Sequence, residues 1–117
     1  MRPEQGDPAY LWDMLQAAEL AADFVREVSY QQYLGDRRTQ PAVERQIEII
    51  GEAARRVSRG FQDSHLEIPW KKIVAQRHVL AHEYGEIKQD RIWFVATVYG
   101  PELISQLRPL LPPSPQA

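Results

Sequence analysis

Eight consecutive residues, Arg77-His78-Val79-Leu80-Ala81-His82-Glu83-Tyr84, carry an arginine, two histidines and a tyrosine. A guanidinium holds a phosphate with paired N–H donors, and an imidazole moves a proton near neutral pH. Together they suggest a phosphodiester-cleaving site. The stretch reads as helix. On such a helix Arg77 and Tyr84 lie nearly in line, while His78 and His82 share a second face rotated by roughly 100°. Arg77 and His82 are about 140° apart, so they form no single stripe, but their long side chains can converge on a cleft closed by another helix or subunit. His78 and His82 also have the spacing at which two imidazoles share one metal ion, with Glu86 one further turn along. Only one other histidine, His65, and no cysteine exist to complete such a site, so no metal and no cofactor is expected.

The elements that must position these residues are helical. Asp7-Pro8 is a start signal, with Asp7 as N-cap and Pro8 at the first helical position. Leu11, Met14, Leu15, Ala18, Ala22, Val25 and Val28 then recur at steps of three and four, predicting a helix to about residue 34, broken by Gly35-Asp36. Thr39 caps a second helix with Pro41 in its first turn, and Val43, Ile47, Ile50, Ala54 and Val57 form its buried stripe up to Gly60. Gly51, in its interior, reads as a packing residue. Residues 61–67 read as a connector. Trp70, Ile73, Val74 and Leu80 predict the core face of the motif helix, which Gly85 ends; Ile68 is a poor N-cap for it.

A last helix is expected from about Gln89 to Leu110, with Ile92, Val95, Val98, Leu103, Leu107 and Leu110 inward. Pro101 predicts a kink near Thr97. Pro109, Pro112, Pro113 and Pro115 end helical structure. No strand pattern and no repeat appears, so the expected fold is an all-α, up-and-down helical bundle of four long helices and a short connector.

Length and composition set the outer limits. The 117 residues leave room for one domain, 1–117, with a core of about 8–111 and a Pro-rich tail at 112–117. Hydrophobic residues make up 44% of the chain, too many for a disordered one. No cysteine, no 18-residue apolar run and no signal-peptide core predict a soluble cytoplasmic protein without membrane contact. A net charge of −2 argues against unspecific affinity for nucleic acid. The charge is uneven, though: residues 1–30 carry six acids against two arginines, and residues 31–60 carry six arginines against four acids. Arg55, Arg56 and Arg59 complement a helix C-terminus. Lys71 and Lys72 open a helix, where the dipole disfavours them, and so are candidate phosphate contacts.

Other segments carry a resemblance. Ala-Val-Glu-Arg-Gln-Ile-Glu-Ile-Ile-Gly-Glu-Ala-Ala at 42–54, Ile-Pro-Trp-Lys-Lys at 68–72, the Arg77-x4-His82-x-Tyr84 motif, Gln-Asp-Arg-Ile-Trp at 89–93 and Gly-Pro-Glu-Leu at 100–103 follow in order. Their sequence and spacing resemble the HepT-like family of HEPN domains, the toxin halves of HEPN–MNT toxin–antitoxin pairs. The likeness covers roughly residues 8–111. Where the family commonly has asparagine after the arginine, this chain has His78.

The resemblance implies a HEPN-like bundle and a ribonuclease toxin. An RNA strand carries its own nucleophile, the 2′-hydroxyl, so the protein needs groups to move protons and stabilise charge on phosphorus. Histidine suits the first task and arginine the second, without a metal. His82 is assigned as general acid or base, Arg77 as phosphate clamp, and His78 as a polar helper orienting either. The family implies a homodimer with two facing motifs. It also implies a nucleotidyltransferase (MNT-type) antitoxin partner that transfers AMP to Tyr84. The rival reading is a HEPN-fold binding module without catalysis, acting through a protein or nucleotide partner.

Overall fold

The computed structural model describes residues 6–76 and 88–111. Its order is α1 (Asp7–Phe24), α2 (Tyr30–Leu34), α3 (Thr39–Arg56), α4 (Arg59–Ser64) and α5 (Trp70–Ala75). After residue 88 come α6 (Gln89–Phe94), a π-helical turn (Val95–Tyr99), α7 (Gly100–Leu107) and a 3-10 turn (Arg108–Leu110). The described residues are thus all-α, as the sequence predicts, though only α1 and α3 are long unbroken helices.

α1 and α3 pack along each other, α7 covers α1, and α5 lies against α3. Two clusters of buried side chains show that α1 and α3 run antiparallel. Leu11, Met14 and Ala18 of α1 meet Ile50 and Ala54 of α3, together with Trp70, Ile73 and Leu107. At the other end Ala21 and Val25 meet Val43 and Ile47, together with Tyr33, Ile92 and Ala96. Every residue of the predicted α3 stripe, Val43, Ile47, Ile50, Ala54 and Val57, is buried, and so is Gly51. Full burial of an Ile or Leu side chain contributes roughly 1.5–3 kcal/mol, so these stripes hold the bundle.

Several expected boundaries are corrected. The first helix stops at Phe24 rather than near residue 34. Glu27 takes a left-handed backbone with φ 61°, and Ser29 then starts α2. A reciprocal cap fixes that start: the Ser29 hydroxyl accepts from the Gln32 amide at 3.1 Å, and the Gln32 side chain accepts from the Ser29 amide at 2.9 Å. Asp7 does not cap its own helix, whose N-cap is Gly6. Its carboxylate reaches across the fold to accept from the Ser58 amide at 2.8 Å and hydroxyl at 2.7 Å.

Thr39 is the first residue of α3, not its cap; Asp36 supplies the cap by accepting from the Arg38 and Thr39 amides, each at 3.0 Å. The Thr39 hydroxyl adds a third bond at 2.6 Å, and these donors hold the Asp36 carboxyl below its usual range. α3 ends at Arg56, not Gly60, because Val57 is extended and Ser58 caps a new helix through the Phe61 amide at 3.2 Å. Most of the expected connector is therefore α4.

Near the expected kink at Thr97 the last helix widens into a π-helical turn. Pro101 has no N–H to give the Thr97 carbonyl, and the Gly100 amide instead reaches five residues back to the Val95 carbonyl. A Cβ on Gly100 would lie 2.9 Å from that carbonyl oxygen, so the turn requires glycine. The buried stripe runs through Ile92, Ala96, Gly100, Leu103 and Leu107, while Val98, expected inside, is 42% exposed.

Candidate active site

Arg77, His78, His82 and Tyr84 lie outside the described residues, as do Leu80, Gly85, Glu86 and the prolines of the tail. What is described is how the chain enters and leaves the motif segment. It enters from α5, which belongs to one core cluster, and leaves into α6, which belongs to the other.

The entry is anchored by Trp70 and Ile73, both buried. No side chain caps α5, whose N-cap is Pro69. The indole of Trp70 supplies the missing local anchor: its Nε1 donates to the His65 carbonyl at 3.0 Å, and its ring meets Phe61 edge-on at 6.3 Å. His65 is itself half-buried at this anchor. It stacks on Phe61 at 4.3 Å, and its Nδ1 sits 3.4 Å from the Glu67 carboxylate.

The exit is anchored by Gln89, the first residue of α6. Its Oε1 accepts from the Tyr33 hydroxyl, and its Nε2 donates to Glu44 Oε2 at 2.7 Å. One amide side chain thereby ties α6 to α2 and α3. Tyr33 is fully buried, and its ring packs against Trp93 at 5.2 Å. Burial, with the nearby Glu44 charge added, pushes the Tyr33 hydroxyl well above the usual phenol range. It stays a protonated donor at any pH at which the chain would work.

Lys71 and Lys72, the predicted phosphate contacts, are exposed on α5. They border a groove of about 860 Å³ that Arg55 and Arg59 also line, with Asp63 as its one carboxylate among the described lining residues. A second groove of about 510 Å³, between α5 and α7, has Lys72 facing Glu67 and Glu102. The first is cationic and the second is not. Sequence reading placed Arg55 and Arg59 at one helix end; the structure puts Arg59 in the first turn of α4, beside the lysines of α5. No local pattern could have revealed that meeting.

Among the described residues no cluster of three His, Asp or Glu side chains could hold a metal ion, and no helix is long and apolar enough to cross a membrane.

A family model described as Ribonuclease HepT-like matches residues 14–110 of the 117. The chain belongs to the HepT-like ribonuclease family. It is similar to a protein of Thermococcus cleftensis named "Probable ribonuclease HepT", 39% identical over 84 residues that cover 72% of this chain and 76% of the relative. A "Putative RNase" of Methanocaldococcus jannaschii is 30% identical over 95 residues, 81% of this chain and 87% of the relative. Another protein of that name, from Caldanaerobacter subterraneus subsp. tengcongensis, is 33% identical over 102 residues, 87% and 91% of the two chains. No solved structure matches the chain. The HepT-like match spans α5, the whole motif segment and α6.

Proposed function

We propose that this chain, as a single HEPN-like domain, cleaves RNA with Arg77 and His82. The broader statement, an endoribonuclease of the HEPN type, follows from membership of the HepT-like family. The observation that carries the finer one is the Arg77-x4-His82-x-Tyr84 motif inside the matched span, on a segment with both ends fixed in the bundle.

The chemistry needs two proton transfers. A general base removes the proton from a 2′-hydroxyl, whose oxygen attacks the adjacent phosphorus and forms a new P–O bond. The bond from phosphorus to the 5′-oxygen breaks, and a general acid supplies that oxygen with a proton. The products are a 2′,3′-cyclic phosphate and a 5′-hydroxyl. His82 fills one of these roles, worth about 10²–10⁴-fold in typical enzymes. Arg77 clamps the phosphate and stabilises its growing charge, and His78 orients either partner.

A homodimer supplies the second proton-transfer group by placing two motifs face to face. A light-scattering mass of one 13.5 kDa chain in a fully active sample would contradict that arrangement. A nucleotidyltransferase antitoxin silences the site by placing AMP on Tyr84. Lys71 and Lys72 hold RNA phosphate beside the motif.

The test is purified chain incubated with RNA in the presence of a metal chelator. Fragments ending in 2′,3′-cyclic phosphate and beginning with 5′-hydroxyl are expected. Loss of cleavage with chelator would replace this mechanism with a metal-dependent one. Absence of cleavage in any buffer would favour a binding module.

A further inference from the structure

The groove along α4 and α5 collects charge that the chain as a whole lacks. The net charge is −2, yet Arg55, Arg59, Lys71 and Lys72 line this groove against Asp63 alone among the described residues. Arg55 is partly neutralised by Glu52 at 3.2 Å. No carboxylate among the described residues pairs with Arg59, Lys71 or Lys72.

The helix dipole does not account for Arg59 or Lys71. Arg59 is the first residue of α4 and Lys71 stands in the first turn of α5, while Lys72 falls in the last turn of that six-residue helix. Positive charge in a first turn works against the helix dipole. α4 and α5 have no acid in their first turns to offset it. The groove is open, and Ile68, Trp70 and Val74 add apolar lining to the cations. Ala75, which also lines it, is two residues from Arg77, at most about 7 Å of chain.

We infer that this groove is a track for single-stranded RNA, carrying the nucleotides that flank the scissile phosphate to the motif. The inference takes its ligand from the ribonuclease reading, and its test keeps the two apart. Charge complementarity selects a polyanion over a second copy of this net-acidic chain. The neighbouring groove, with Lys72 against Glu67 and Glu102, has no such preference. Arg55 and Arg59 thereby join Lys71 and Lys72 as substrate contacts, from two helices that precede the motif by some twenty residues.

The test measures binding of a labelled single-stranded RNA of about a dozen nucleotides, within the usual site size, to the His82→Ala chain so that the probe stays whole. Adding Arg59→Ala, Lys71→Ala and Lys72→Ala should raise Kd roughly tenfold at moderate salt. It should also reduce the slope of log affinity against log salt by about 2, from three phosphates at about 0.7 each. Exchanging the same residues as Arg59→Lys, Lys71→Arg and Lys72→Arg should preserve that slope, and circular dichroism should show equal helix content throughout. An unchanged Kd and slope in the triple alanine variant would overturn the inference. So would absence of RNA binding by the starting protein, or unchanged RNA binding with loss of self-association. A chain with His82 intact that binds RNA through the groove without cutting it would defeat the ribonuclease reading and leave the track standing. A cleaving chain whose triple variant binds RNA undiminished would do the reverse.

Discussion

The Tyr33 hydroxyl donates to the side chain of Gln89, fifty-six residues away, and Gln89 in turn donates to Glu44. This pair fixes the point at which the chain leaves the motif segment. Gln89→Ala removes both bonds and leaves a buried phenol donor without its acceptor. The expected cost is about 1–3 kcal/mol. For a chain of this length that is a Tm lower by roughly 4–12 °C, read by circular dichroism. A Tm within a degree of the parent's would show that the network adds nothing.

Tyr33 also predicts how stability responds to alkali. Its folded value is raised by burial and by the Glu44 charge, so the folded state favours the protonated phenol. The stabilisation is fully present below the unfolded value of about 10 and is lost as pH rises through and beyond it. Denaturant unfolding at a series of pH values should show a decline above pH 10 that Tyr33→Phe makes shallower. Parallel curves for the two proteins would refute the assignment.

Gly100 carries a different constraint. Gly100→Ala places a Cβ against the Val95 carbonyl oxygen, a backbone atom that cannot swing away. Overpacking of this kind costs about 1–3 kcal/mol, visible as a lower urea midpoint with an unchanged m-value. A midpoint equal to the parent's would mean that the π-helical turn gives way without cost.

Much of this architecture could be read in the sequence, and the exceptions share a cause. The α3 stripe from Val43 to Val57 was legible because each of its residues meets a core partner at helical spacing. The break after Phe24 was not, since no glycine or proline marks it; its one local signal is Ser29-x-x-Gln32, a reciprocal cap. The end of α3 was hidden in the same way by Ser58, which caps forward to Phe61 while Asp7 holds it from across the fold. The proposed chemistry of Arg77 and His82 rests on residue type and spacing alone. The cationic groove is not, because Arg59 and Lys71 meet only through the packing of α4 and α5.

In the proposed function, control of the site rests on Tyr84. On that reading, an AMP added there supplies a phosphate anion and a bulky base that compete with RNA for the donors of Arg77. Co-expression with the partner nucleotidyltransferase should add mass increments of one or more AMP to this tyrosine, with activity lost in proportion. Tyr84→Phe should cleave RNA and escape modification. A neutralised complex whose Tyr84 is unmodified by mass spectrometry would mean masking by the bound partner instead.

The most direct test is the RNA-cleavage rate of Arg77→Ala and His82→Ala beside the parent, measured in a single turnover with chelator present. Each variant should keep the parent's helical circular dichroism and lose at least about a hundredfold in rate, the lower end of what one proton-transfer group contributes. A folded His82→Ala chain that cuts RNA as fast as the parent would contradict the account at its centre.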